Sequence, residues 1–207
     1  MKIIIDTDPG IDDILAIATA YTYDDYEIIG MSTVTGNVSL EKTTNNAILT
    51  LDILEKDTPI FVGNSKSLTL PRDYDSNVHG NDGMGNLYKK YRHNTPKMER
   101  EISDIFGLKR LIDESDSKVT IIALGPLTNI AQLLIMDPLT HEKIEEIHIM
   151  GGGIKHGNTT ALSEFNFYCD SIAANKVIQS GIKIYLSALD ATSQVYFEEE
   201  EFKTMPE

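Results

Sequence analysis

The sequence predicts an α/β fold on an open, mostly parallel sheet. Short apolar runs alternate with longer stretches of helical period, several runs are apolar on both faces, and polar, glycine-bearing turns follow the runs. A strand, a crossover helix and a parallel strand form a right-handed unit, and repeating it gives a Rossmann-like sheet flanked by helices. Ile3-Ile4-Ile5 marks the first strand, Lys2 to Asp6, and Ile14-Leu15-Ala16-Ile17 opens the first helical pattern, Asp12 to Tyr23. Strands are then expected at Glu27 to Val34, Pro59 to Val62, Lys118 to Leu124, Glu146 to Met150 and Ile182 to Ser187. Apolar stripes of helical period place helices at Leu40 to Leu54, Ile102 to Glu114, Leu127 to Met136 and Ser171 to Ser180. Between Asn64 and Arg100 the periodicity lapses into Gly, Asn, Asp and Pro, as in a long loop with short helical pieces. The run Glu198 to Glu201 reads as a solvated helix start.

The 207 residues suit one α/β domain, taken as residues 1–207, or most of a larger one. Hydrophobic residues make up 41%, yet no stretch approaches the roughly 18 to 20 apolar residues that cross a bilayer, so a membrane role is not expected. Asp6 follows Met1-Lys2-Ile3-Ile4-Ile5 at once and leaves no room for a secretory signal, and the single cysteine, Cys169, agrees with a reducing compartment. A cytoplasmic location is therefore expected. The net charge of -14 repels phosphate backbones, which excludes nucleic acid as a partner and favours a small neutral molecule.

Asp6-Thr7-Asp8-Pro9-Gly10-Ile11-Asp12-Asp13 places four carboxylates within eight positions at a strand-to-helix turn. Like charges so close raise one another's pKa, and a cation between them removes the conflict. Helix capping and the helix dipole account for Asp12 and Asp13, but Asp6 and Asp8 sit at the end of a strand that reads as buried. Oxygen donors suit a hard divalent ion; calcium, which takes roughly 6 to 8 oxygen ligands in irregular geometry, fits better than magnesium. An Asp-x-Asp after a first strand also suits an aspartate-nucleophile phosphatase, but Pro9-Gly10 is the wrong continuation for one.

Open parallel sheets bind ligands beyond the carboxyl ends of their strands. Asp6 and Asp8, Thr35-Gly36-Asn37, Gly125 to Asn129 and Gly151-Gly152-Gly153 should share that rim. Past it, Glu164 and Asn166 would lie on one face of an extended segment, with Phe165 and Phe167 on the other. Amides and a carboxylate together suit a polyhydroxylated ligand such as a sugar. In the loop, Val78 to Asn86 carries three glycines and His79, which fits either a lid over a ligand or an ordinary surface loop.

The aspartate segment resembles the N-terminal signature of the nucleoside hydrolases, the inosine-uridine preferring N-ribosylhydrolases. Further matches follow in the same order: Val34 to Asn37, His79-Gly80 with Gly83-Met84-Gly85, Leu124 to Ala131, Met150 to Gly153, and Asn158 with Glu164-Phe165-Asn166. The resemblance implies calcium-dependent hydrolysis of the N-glycosidic bond of ribonucleosides. It implies calcium on Asp8, Asp13 and the Leu124 carbonyl, with Asp8 also the general base toward water. Asp12, Asn37, Asn158, Glu164 and Asn166 would hold ribose hydroxyls, Met150 would line the pocket, and His79 would lie beside the base in a mobile loop. It further implies a homo-oligomer. Family members are longer and carry a C-terminal His-Asp pair that has no counterpart after Leu189-Asp190-Ala191-Thr192, so a truncated member is expected. Among the other histidines only His156 stands near the glycine rim. The alternative is a non-catalytic remnant that binds nucleosides without turnover.

Overall fold

The computed structural model describes residues 1–69, 78–196, 198, 200 and 203. Seven parallel strands form one sheet in the order β4-β3-β2-β1-β5-β6-β7. They are β1 (Lys2–Thr7), β2 (Glu27–Thr33), β3 (Ile60–Val62), β4 (Ile102–Asp104), β5 (Val119–Ala123), β6 (Ile144–Met150) and β7 (Lys183–Ser187). The chain winds outward from β1 to β4, then returns to the other side of β1, so strand order reverses between β1 and β5. Open sheets of this kind bind ligands in the crevice outside the strand ends at such a reversal.

Alternation along β1 divides the core in two. Ile3 and Ile5 join Met31, Ile60, Ile17, Ala47 and Leu51 under α1 (Ile11–Ala20) and α2 (Leu40–Ile53). Ile4 faces the other way with Ile121, Ala123, Ile147 and Ile149, packed against helices of the opposite layer. These are α4 (Ile105–Glu114), α5 (Thr128–Met136) and α7 (Ser171–Ile178); α3 is Tyr88–Asn94, α6 Phe165–Cys169 and α8 Leu189–Thr192. No helix among the described residues is long and apolar enough to cross a membrane.

The six expected strands are present, with ends shifted by one or two residues. The expected helix Ile102 to Glu114 is instead a short strand, β4, followed at once by α4. Asp104 ends the strand and caps the helix, its carboxylate accepting from the Phe106 and Gly107 amides at 3.0 and 3.1 Å. Glu164 and Asn166 are not on an extended segment: Glu164 caps α6, accepting from the Asn166 and Phe167 amides at 2.9 and 3.1 Å. Between Asn64 and Arg100 the described residues include α3, while residues 70–77 of that loop lie outside the description, as do Glu199 and Glu201 of the acidic run.

Candidate active site

Asp8 and Asp13 are buried at the crevice, 1% and 6% exposed. Asp13, in the first turn of α1, accepts from Thr7 Oγ1 at 2.7 Å and from the Gly10 amide at 2.9 Å. Asp8 Oδ2 accepts from the Asn37 amide at 2.7 Å, and the Asn37 side chain donates to the Asp8 carbonyl and to Asp13 Oδ2. Asn37 thereby locks the two acids together. Asp8 Oδ1 is buried with no hydrogen-bond partner.

Glycine backbones make room for this carboxylate. A Cβ on Gly36 would stand 2.0 Å from Asp8 Oδ2, and one on Gly125 would stand 2.4 Å from Oδ1. Burial pushes the Asp8 carboxyl well above the usual range, and the neighbouring Asp13 charge adds to that against the Asn37 amide. Burial first, then the Asp12 charge, pushes Asp13 up to about 7. Two acids held in low dielectric without a cation favour protonation.

Asp12 lies at the rim with its side chain 79% exposed, and its Oδ1 is 3.8 Å from His79 Nδ1. The Ile11 amide donates to that nitrogen at 3.3 Å, which leaves the ring proton on Nε2.

On the β5–β6 side, the Asn166 amide group donates to the Leu124 carbonyl at 2.8 Å and to the Met150 carbonyl at 3.1 Å. Both partners only accept, so the atom facing them is Nδ2 and the amide oxygen turns elsewhere. Glu164, 2% exposed, accepts from the Gly152 amide at 2.8 Å besides its two helix bonds. Its carboxylate keeps acceptor capacity on Oε1. Asn158 is exposed; its Oδ1 accepts at 2.9 Å from the amide of Phe165, the first residue of α6.

The expected residues therefore form two hydrogen-bonded groups. Asp8, Asp13 and Asn37, with Asp12 and His79 beside them, make one; Leu124, Met150, Glu164 and Asn166, with Asn158 tied through Phe165, make the other. They meet where Gly125 touches Asp8. His156 is exposed on the turn after Gly153. Among the described residues no group of three or more His, Cys, Asp and Glu side chains is placed to hold a metal ion.

Sequence reasoning missed Thr7, which fixes Asp13; Asp6 and Asn129, both expected on the rim, instead pair with each other in the buried interior. Asp6 Oδ1 accepts from Asn129 Nδ2 at 2.7 Å and from Ser32 Oγ at 2.5 Å, and Asn129 also donates to the Thr33 carbonyl. Asn129 stands in the first turn of α5.

Residues 3–207 match the family described as inosine-uridine preferring nucleoside hydrolase. The chain belongs to the inosine-uridine preferring nucleoside hydrolase family. A relative in that family, the non-specific ribonucleoside hydrolase RihC of Escherichia coli O127:H6, is 40% identical over 208 residues, covering 100% of this chain and 67% of its own length. The RihC of Shigella flexneri is 39% identical with the same coverage. Among solved nucleoside hydrolases, the plant enzyme PpNRh1 superposes with a TM-score of 0.87 at 34% identity, covering 98% of this chain and 64% of that one. The purine-preferring ribonucleoside hydrolase of Gardnerella vaginalis gives 0.88 at 29% identity, covering 98% and 65%. This nucleoside hydrolase chain thus spans about two thirds of the length of its relatives.

Proposed function

We propose that this chain carries the metal and ribose site of a hydrolase that splits the N-glycosidic bond of ribonucleosides into free base and ribose. The observation that carries the reading is the buried Asp8 carboxylate, with Oδ1 unpartnered and glycine backbone on both sides. An unpaired carboxylate at such a place is costly unless a cation or a ligand meets it. Asp8, Asp13 and the Leu124 carbonyl are all oxygen donors, the chemistry that suits calcium. When bound, such an ion supplies charge compensation for the two acids and makes water a better nucleophile.

Asp8 is the general base, its Oδ1 being the carboxylate oxygen of the Asp8–Asp13 pair that no protein donor occupies. Breaking the bond builds positive charge on the ribose ring. Asp12 and Glu164 set fixed negative charge around the sugar, where it stabilises that transition state. Asn37, Asn158 and Asn166 hold ribose hydroxyls, Met150 lines the pocket, and His79 faces the base through the Nε2 proton. The arrangement is proposed for a cytoplasmic homo-oligomer acting on free nucleosides.

The test follows base release from inosine and uridine with calcium or with chelator, alongside calorimetric titration of the ion. Asp8→Ala should remove both ion binding and hydrolysis. Hydrolysis retained by that variant would overturn the assignment of the base, whereas nucleoside binding without release by the unaltered chain would leave only a binding protein.

A further inference from the structure

We propose that Asn46, outside the metal and ribose sets, is a positioning residue that fastens the His79 segment to the aspartate turn. This rests on the proposed place of His79 beside the base.

Asn46 lies on α2 and is 1% exposed. Its Nδ2 donates to the Pro9 carbonyl at 3.1 Å and to the Asp82 carbonyl at 2.9 Å. Both partners are backbone acceptors, so the assignment of nitrogen is unambiguous. One side-chain amide thus spans two segments that are far apart in sequence: the turn bearing Asp8 and Asp13, and the loop bearing His79. The loop is shaped to receive it. Gly83 has φ +80°, and a Cβ there would lie 2.7 Å from Asn46 Nδ2 and 3.2 Å from the Pro9 carbonyl. One turn earlier on α2, Lys42 donates to the Asn81 carbonyl at 2.7 Å.

The segment so held is internally braced. Asp82 gathers the Met84, Asn86 and Tyr88 amides, the Gly85 amide donates to the His79 carbonyl, and Met84 is buried. A braced segment moves as a unit, so releasing it at Asn46 displaces His79 from the Ile11 amide. Leaving the buried Pro9 carbonyl and the half-buried Asp82 carbonyl unpaired also costs stability at the seam, which favours opening there rather than in the sheet.

The experiment compares the unaltered chain with Asn46→Ala and Gly83→Ala, which break the seam from opposite sides. Amide hydrogen exchange across residues 79–87 is followed together with kcat and KM for inosine. Expected are exchange at least about tenfold faster in 79–87 with β1 and β5 still protected, and a raised KM with kcat largely kept, the mark of lost uniform binding. Lys42→Met, at a solvated position, should shift exchange in the same direction by less. Unchanged exchange in 79–87 in both seam variants would overturn the proposal. An unaltered chain that releases no base would instead overturn the proposed function, and the exchange data would still judge the seam.

Discussion

Asp6 should make this protein more stable in acid than at neutral pH when divalent ions are chelated. Asp6 is 1% exposed, and its Oδ2 has no partner. Burial pushes its carboxyl from 3.8 up to about 6, against the hydrogen bonds from Ser32 and Asn129. The folded state therefore keeps a proton that the unfolded chain gives up, and stability falls as pH rises through that window. Moving the carboxyl from 3.8 to about 6 corresponds to about 3 kcal/mol, fully lost above the folded pKa. Asp6→Asn keeps an acceptor for Ser32 and Asn129 but cannot ionise, so its intrinsic cost is the same at every pH. The decisive quantity is the difference between variant and parent at about pH 8 minus that at about pH 4.5, expected near +2 kcal/mol because pH 4.5 still lies inside the window. At roughly 2–4 °C per kcal/mol for a chain of this size, thermal melts by circular dichroism with chelator should show the gap widening by about 4–8 °C. A gap that is the same at both pH values would refute the account of Asp6 as a carboxylate held at the expense of its ionised form.

Gly36→Ala drives a methyl group into Asp8 Oδ2 and should lower divalent affinity at least about tenfold by calorimetry, with the sheet's circular dichroism retained. Asp52→Ala removes the partner of Arg92 at 2.5 Å and Arg100 at 2.6 Å, both inside the fold, and should cost about 3–5 kcal/mol in urea unfolding. Asp104→Ala deletes the cap of α4 and should cost about 1 kcal/mol by the same measurement.

The sheet was legible because six of its strands are either apolar runs or stand beside strong helical stripes. β4 was not: it has three residues, none buried, and Ile102 falls in phase with the stripe of α4. Only pairing with β3 makes those residues a strand. α6 was hidden for a related reason, since five residues are too few to show a period and Glu164-Phe165-Asn166-Phe167 alternates like a strand. In the site, crowding of like charge announced Asp8 and Asp13. Asn46 gave no comparable signal, because its work is done on backbone carbonyls and Thr-Thr-Asn-Asn reads as the wet side of a helix.

The pairing of Asp6 with Ala123 across β1 and β5 has a consequence for biosynthesis. During translation the triple isoleucine emerges before its neighbour on one flank, which is made more than a hundred residues later. Until then that side is an open, sticky border of the kind that recruits other nascent chains. Acidic gatekeepers directly behind such a stretch discourage that association. The same carboxylates that burden the finished molecule would thus guard it while it is being made.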